Sequence, residues 1–376
     1  MKIGLITFHN SHNCGSMLQA YALQTAIKDN NKEVEILDFS NEGQKRLYNV
    51  YYENTSIKNI IKNIIIFPKI QRIKRDYEEY EKFKVQNFNL SKKKYAELKD
   101  FKENELDYEQ YICGSDQIWN ITLEDSDDAY FLPFVKKHKK IAYAPSFGAK
   151  NIEKYVSTKE KLEYYKEKIN EFSYLSTREN NGKIWMENLT NRKDIQVLLD
   201  PTLIIDKSNY DKLEESIKTP EHFIFYYAPG YIKGLNKFVK KLSNKYKLPV
   251  IVFNSKQYYV KRLWKNGFKL PEKESPAVYL YLIKNADMVL TTSFHGTIFS
   301  SIYRKKFWIL KNGGMYGDDD RVKTLINELK LEERLIEPVF DTSFDYAKDV
   351  DYNEYDEQLN KMKIKSSEYL RKAIND

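Results

Sequence analysis

At 376 residues the chain exceeds one ordinary hydrophobic core, and its 41% hydrophobic content suffices for two. No run approaches the roughly 20 consecutive apolar residues of a membrane span, the first eight residues lack a cleavable leader pattern, and two cysteines, Cys14 and Cys113, give neither a disulfide framework nor zinc-site spacing, so a cytoplasmic protein without structural metal is expected. The net charge of +8 invites a polyanion partner, but only ten of the 62 Lys and Arg are Arg in a chain rich in Lys, Ile, Asn and Tyr, a bias of overall composition that predicts no nucleic-acid binding.

In chain order, Lys2 to Phe8 reads as a buried strand, and Leu18, Ala22, Ala26, Leu23 and Ile27 give the face of a helix. The turn between them, His9 to Ser16, is small and polar. Its Asn13, Gly15 and Ser16 are candidates to hold a phosphate or carboxylate against free helix N–H groups, although Asn13 or Ser16 acting only as a helix cap would look the same. Glu33 to Phe39 completes a βαβ unit. From 57 to 100, Lys and Glu alternate with Ile, Tyr and Phe around Pro68, which predicts a helical insertion in the first domain. Its Ile60, Ile61, Ile64, Ile65, Phe67 and Ile70, flanked by Lys62, Lys69, Arg72, Lys74 and Arg75, read as a surface helix packed on its own domain, with a basic apolar face lying on a membrane surface as the alternative.

Asp107 to Cys113 reads as a strand running into Gly114-Ser-Asp-Gln-Ile-Trp-Asn120, where Asp116 and Gln117 can exchange hydrogen bonds with sugar hydroxyls or simply form an Asx turn. Further strands are expected at Lys140 to Ala144, at Phe172 leading onto Arg178, and at Val197 to Ile205. Arg kept in a Lys-biased chain points to a planar fork gripping an anion.

The second half repeats the alternation, with strands at Phe223 to Ala228, Pro249 to Phe253, Met288 to Leu290 and Phe307 to Leu310. The polar turn Thr291 to Gly296, between a strand and a helix face of Ile298, Phe299 and Ile302, puts hydroxyls, an imidazole and backbone amides at the carboxyl edge of a parallel sheet, where anions bind. Thr292, Ser293, His295 and Gly296 are the candidates there, with His295 readable either as a ligand or proton-transfer group or as a buried histidine satisfied by backbone. Asp318, Asp319 and Asp320 offset the dipole of the next helix. Arg321 beside them reaches either a ligand or its own acidic neighbours. The fold class predicted is α/β, two Rossmann-like domains facing across a cleft (GT-B-like): an N-terminal domain over 1–206, a C-terminal one over 207–345, and a helix over 346–376 packing back on the first.

Together Asn13 to Leu23, Cys113 to Asn120, Tyr143 to Ala149, Ser176 to Glu179, Leu199 to Thr202 and Ser293 to Phe299 resemble, in order, the motifs of the polysaccharide pyruvyltransferase family. The resemblance implies transfer of the enolpyruvyl unit of phosphoenolpyruvate, as donor substrate and without a cofactor, to a sugar or lipid-linked glycan acceptor, forming a pyruvate ketal for the cell envelope. That reaction asks for an anion clamp, which Arg178 fits, for a group that transfers a proton or stabilises departing phosphate, for which His295 is the candidate, and for a base or sugar anchor, for which Asp116 is. The family pattern Ser-Arg-Leu-His-Gly is kept here at His295 and Gly296 but has Ser293 in place of the arginine, and Arg321 is the expected substitute. Two other readings share these features: a nucleotide-sugar glycosyltransferase, and a glycan-binding member without catalysis.

Overall fold

The computed structural model describes residues 1–102, 105–312 and 320–376. Twelve strands are seen among them, in chain order β1 (Lys2–Ile6), β2 (Glu33–Phe39), β3 (Leu90–Tyr95), β4 (Gln110–Asp116), β5 (Lys139–Pro145), β6 (Ser176–Thr177), β7 (Gln196–Val197), β8 (Ile224–Tyr227), β9 (Val250–Val252), β10 (Met288–Thr291), β11 (Phe307–Leu310) and β12 (Leu335–Ile336). The first five form a parallel sheet in the order β3-β2-β1-β4-β5, the last five another in the order β12-β11-β10-β8-β9, and β6 pairs with β7. β4 and β10 are buried along their whole length, as expected of strands covered on both faces by crossover helices. The chain is thus α/β with two Rossmann-like halves.

Order, not only content, positions the chemistry. The connections leave β1 toward β2 on one side and return as β4 on the other, so the crevice outside the carboxyl ends of β1 and β4 is a topological switch point; β8 and β10 form the second. Every polar turn singled out in the sequence follows one of these strands or a neighbour.

Two compact units divide the described chain: 1–48 with 84–205 and 357–376, and 49–83 with 206–356. The predicted insertion is therefore corrected twice. Residues 49–83 belong to the second unit, tied there by buried Asp76, which takes Arg72 at 2.9 Å and the Glu274 N–H at 3.1 Å, and by Arg75 donating to the Glu272 carbonyl at 2.9 Å. Leu90–Tyr95 is a strand, not helix. Its three exposed lysines hide the pattern from sequence reading, and a charged edge strand resists pairing with another chain.

Val197 to Ile205 is corrected as well, because Asp200 caps a short turn that begins at Pro201, leaving only β7 as strand. The last helix runs Asn353–Asn375, and its portion from Glu357 joins the first unit, where Tyr369 donates to the Ala142 carbonyl and Ser366 accepts the Leu199 N–H. Among the described residues, no helix is long and apolar enough to cross a membrane, and no group of three His, Cys, Asp or Glu is placed to hold a metal.

Candidate functional site

At the first switch point the turn after β1 enters the helix Cys14–Lys28 through Asn13, whose side chain accepts the Gly15 and Ser16 N–H groups at 2.9 and 3.4 Å. Asn13 is the cap. The two amides expected to cradle an anion are thus held by the chain itself. Ser16 does something else: its hydroxyl donates to Asp116 Oδ2 at 2.6 Å, linking this helix to the end of β4.

Asp116 is the hub of a buried charged network. Its Oδ1 accepts the Gln117 N–H at 2.9 Å and lies 3.4 Å from Arg178 Nη2, while Arg178 Nη1 donates to Asp200 Oδ2 at 2.7 Å. The Arg178 side chain is 2% exposed and that of Asp200 fully buried. Burial by itself would weaken the guanidinium's hold on its proton, and Asp200, Asp116 and Glu179 together more than reverse that. The fork predicted to grip a substrate anion is occupied by the protein's own carboxylates.

Around this network the Pro145 to Ala149 loop is pinned by Glu179, which accepts from Phe147 N at 2.6 Å and Ser146 Oγ at 3.1 Å. Gly148 has φ +60°, and a Cβ there would meet Gln117 Oε1 and Asn120 Nδ2 at 2.2 Å. Asp116 and Ala144 also take left-handed backbone conformations, φ 69° and 48°, a local strain of the kind that gathers at functional sites. Of the predicted residues here Asn13 and Gln117 stay half-buried and reachable, while Ser16 and Asp116 are buried.

Several groups at this edge were not picked out from sequence. His9 Nε2 lies 3.3 Å from Asp38 Oδ1, Asn10 donates to the same oxygen at 2.8 Å, and Lys84 Nζ donates to Asn10 Oδ1 at 2.9 Å. Burial would raise the Asp38 carboxyl, but hydrogen bonds from His9 and Asn10 bring it down to about 2. Asp125 goes the other way: burial, with Asp116 adding repulsion, pushes it up to about 6 against a backbone hydrogen bond that lowers it. A carboxyl titrating there is a candidate acid. His9 and Asn10 open the polar turn after β1, but Asp38 on β2, Lys84 in the helix Ile70–Asn87 and Asp125 in a loop carry no motif of their own, so only the fold gathers them.

At the second switch point β10 ends in Thr291, whose hydroxyl donates to the Tyr227 carbonyl on β8 at 2.8 Å and accepts the Ser293 N–H at 2.9 Å. Ser293 caps the helix Phe294–Ile302, with its Oγ accepting the Gly296 N–H at 3.2 Å. Ser293 is therefore a helix cap. A Cβ at Gly296 would lie 2.2 Å from Thr291 Oγ1, so only glycine lets this helix start so close to the strand. Thr292 is fully buried, and its Oγ1 makes no hydrogen bond among the described residues, an unusual state for a buried hydroxyl and one a ligand would relieve. His295 is 6% exposed with its ring edge-on to Phe294 at 5.2 Å. Arg321, 7% exposed, is in the first turn of the helix Asp320–Glu328, while Asp318 and Asp319 lie outside the described residues.

Parallel α/β halves with capped helix N-termini, buried carboxylates and an imidazole at their switch points define a doubly wound α/β protein, a class whose ligands bind outside the carboxyl ends of the strands. Comparison with known proteins gives the family. The chain belongs to the polysaccharide pyruvyl transferase family, whose model matches residues 13–314, and is accordingly a transferase. No curated protein matches it. Solved structures similar to it include UDP-GlcNAc 2-epimerase from Neisseria meningitidis, at 12% identity and TM-score 0.47 over 99% of this chain and 100% of that one. UDP-N-acetylglucosamine 2-epimerase from Rickettsia bellii gives 11% and 0.48 over 100% and 98%. An E. coli heptosyltransferase gives 9% and 0.39 over 83% and 89%.

Proposed function

We propose that this transferase moves the pyruvyl unit of phosphoenolpyruvate onto a sugar and closes a ketal across two of its hydroxyls during synthesis of a surface polysaccharide. The observation that supports this most is that the family match spans both switch points, from the Asn13 turn to the strand after His295. In this reading one sugar oxygen bonds to the donor's C2 and releases its proton to water, while C3 takes a proton and becomes a methyl group. The second oxygen then bonds to C2 as the C2–O bond to phosphate breaks, and its proton leaves with inorganic phosphate.

His295 is proposed as the group that delivers the proton to C3, since an imidazole exchanges protons near neutral pH. The start of its helix, with Thr292 Oγ1, is proposed to take an anionic group of the donor, with Arg321 supplying charge. In the first unit, half-buried Asn13 and Gln117 are proposed to meet sugar hydroxyls, and Asp116 to position Gln117 and Ser16. Arg178 is given the internal countercharge role that its two carboxylates require.

Phosphate release tests the proposal: phosphoenolpyruvate with a panel of bacterial surface-glycan fragments should yield inorganic phosphate and an acid-labile ketal. Turnover of a nucleotide sugar without phosphoenolpyruvate would replace it with the glycosyltransferase reading, and binding of glycan with no turnover of either donor would replace it with the binder.

A further inference from the structure

The helix Ile57–Ile66 in the second unit is mounted inside out. Its apolar residues Ile57, Ile60, Ile61 and Ile64 are 77%, 43%, 51% and 66% exposed, and Phe67 just after it is 66% exposed. Lys58 is exposed beside them, while Asn59, Lys62 and Asn63 are half-buried. Asn63 exchanges two hydrogen bonds with the Tyr52 backbone, at 2.7 and 2.9 Å, and Lys62 donates to Asn59 at 3.0 Å while lying 4.5 Å over the Tyr52 ring. Surface helices of globular proteins place their apolar stripe on the core. An uncovered run of four isoleucines and a phenylalanine is therefore an interaction face rather than a scattering of single exposed residues.

The charge around it indicates what covers it. Residues 51–75 carry Lys58, Lys62, Lys69, Lys74 and Arg75 against one acid, Glu53, with Arg72 matched by Asp76 just beyond. Lys256 adds another, lying 4.1 Å over the Tyr52 ring from the helix Ser255–Val260. These cations crowd one another: burial and then Lys62 bring Lys256 down to about 8, and burial followed by Lys58 and Lys261 lowers Lys62. Tyr51, Tyr52, Ile60, Ile64 and Phe67, with Asn54 and Asn63, line a groove of about 580 Å³ on this side of the helix. Insertable aliphatic side chains ringed by lysines match a bilayer carrying negative headgroups, whereas a neutral apolar partner would leave the lysine crowding without a counterpart.

We propose that the Ile57–Ile66 helix and Phe67 seat this protein on an anionic phospholipid surface, with the isoleucines in the acyl boundary and the neighbouring lysines against the headgroups. The inference does not depend on which reaction the protein catalyses. The test is co-sedimentation of the full chain with phosphatidylcholine vesicles and with vesicles containing phosphatidylglycerol. Binding is expected only to the second kind, weakening as salt is raised. The Ile61→Glu, Ile64→Glu double variant should bind about tenfold or more weakly with its thermal midpoint unchanged, because both side chains are exposed. A Lys58→Glu, Lys69→Glu variant, with both side chains exposed, should bind more weakly and lose part of the salt dependence. Absence of binding to anionic vesicles, equal binding by the isoleucine variant, or light scattering that shows a dimer dissolved by that variant would each overturn the proposal, the last in favour of a second copy of this chain.

Discussion

Arg178 Nη1 sits 2.7 Å from Asp200 Oδ2 with both side chains out of solvent, and the other arm of the guanidinium reaches toward Asp116. Removing the cation would leave two buried carboxylates without their countercharge, which costs about 3–5 kcal/mol. Arg178→Ala is expected to lower unfolding stability by that amount in a urea titration, with Arg178→Lys recovering part of it. A variant of unchanged stability and reduced affinity for phosphoenolpyruvate would instead return Arg178 to the donor clamp.

His295→Ala is expected to reduce turnover at saturating substrates by about 10² or more, the usual contribution of a positioned proton-transfer group. Steady-state phosphate release measures it. A loss of tenfold or less would remove this imidazole from the chemistry, leaving it a packing residue beside Phe294.

Gly296→Ala puts a methyl group 2.2 Å from Thr291 Oγ1, the hydroxyl that holds both Tyr227 and Ser293. Either the helix start or the strand end must shift, at a cost of about 1–3 kcal/mol. Thermal unfolding should show the loss, and Thr291→Ala in the same chain should restore part of it by clearing the space.

Stability should also depend on pH through Asp125. Its folded-state carboxyl titrates at about 6 against an ordinary 3.8, so the folded protein binds the proton more tightly than the unfolded chain. Stability therefore falls as pH rises from about 4 to about 6, by up to roughly 3 kcal/mol. Asp125→Asn should flatten that limb when unfolding is followed across the range. Asp38, held down at about 2, works in the opposite sense and at lower pH, losing its contribution as pH falls below 3.8 toward 2.

The sequence made the alternation of strands and helices readable wherever a strand was apolar, as at Met288 to Leu290, or a helix carried its own cap, as with Ser275 before Pro276. It misled where polarity belonged to an edge, as in the lysine-rich β3, and where a helix turned its oily side outward, because periodicity says that two faces differ but not which is covered. The motif residues at the two switch points were visible as local patterns. Their partners were not: Asp200 and Asp116 meet Arg178 from positions 22 and 62 residues away, and Asp38 meets His9 from 29. Spacing along the chain carries no trace of such encounters, so the two carboxylates around Arg178 were not legible in it.

Neither compact unit is encoded by one continuous stretch of gene. A protein ending at Ile205 would keep every strand of the first sheet yet lose Ser366 and Tyr369, which hold the Leu199 amide and the Ala142 carbonyl, and one beginning at Asp206 would lack Asp76 and Arg72. Recombination can therefore not trade one half as a cassette: a chimera that swaps acceptor or donor preference between relatives has to exchange the matching distant segment too, or inherit a frayed seam.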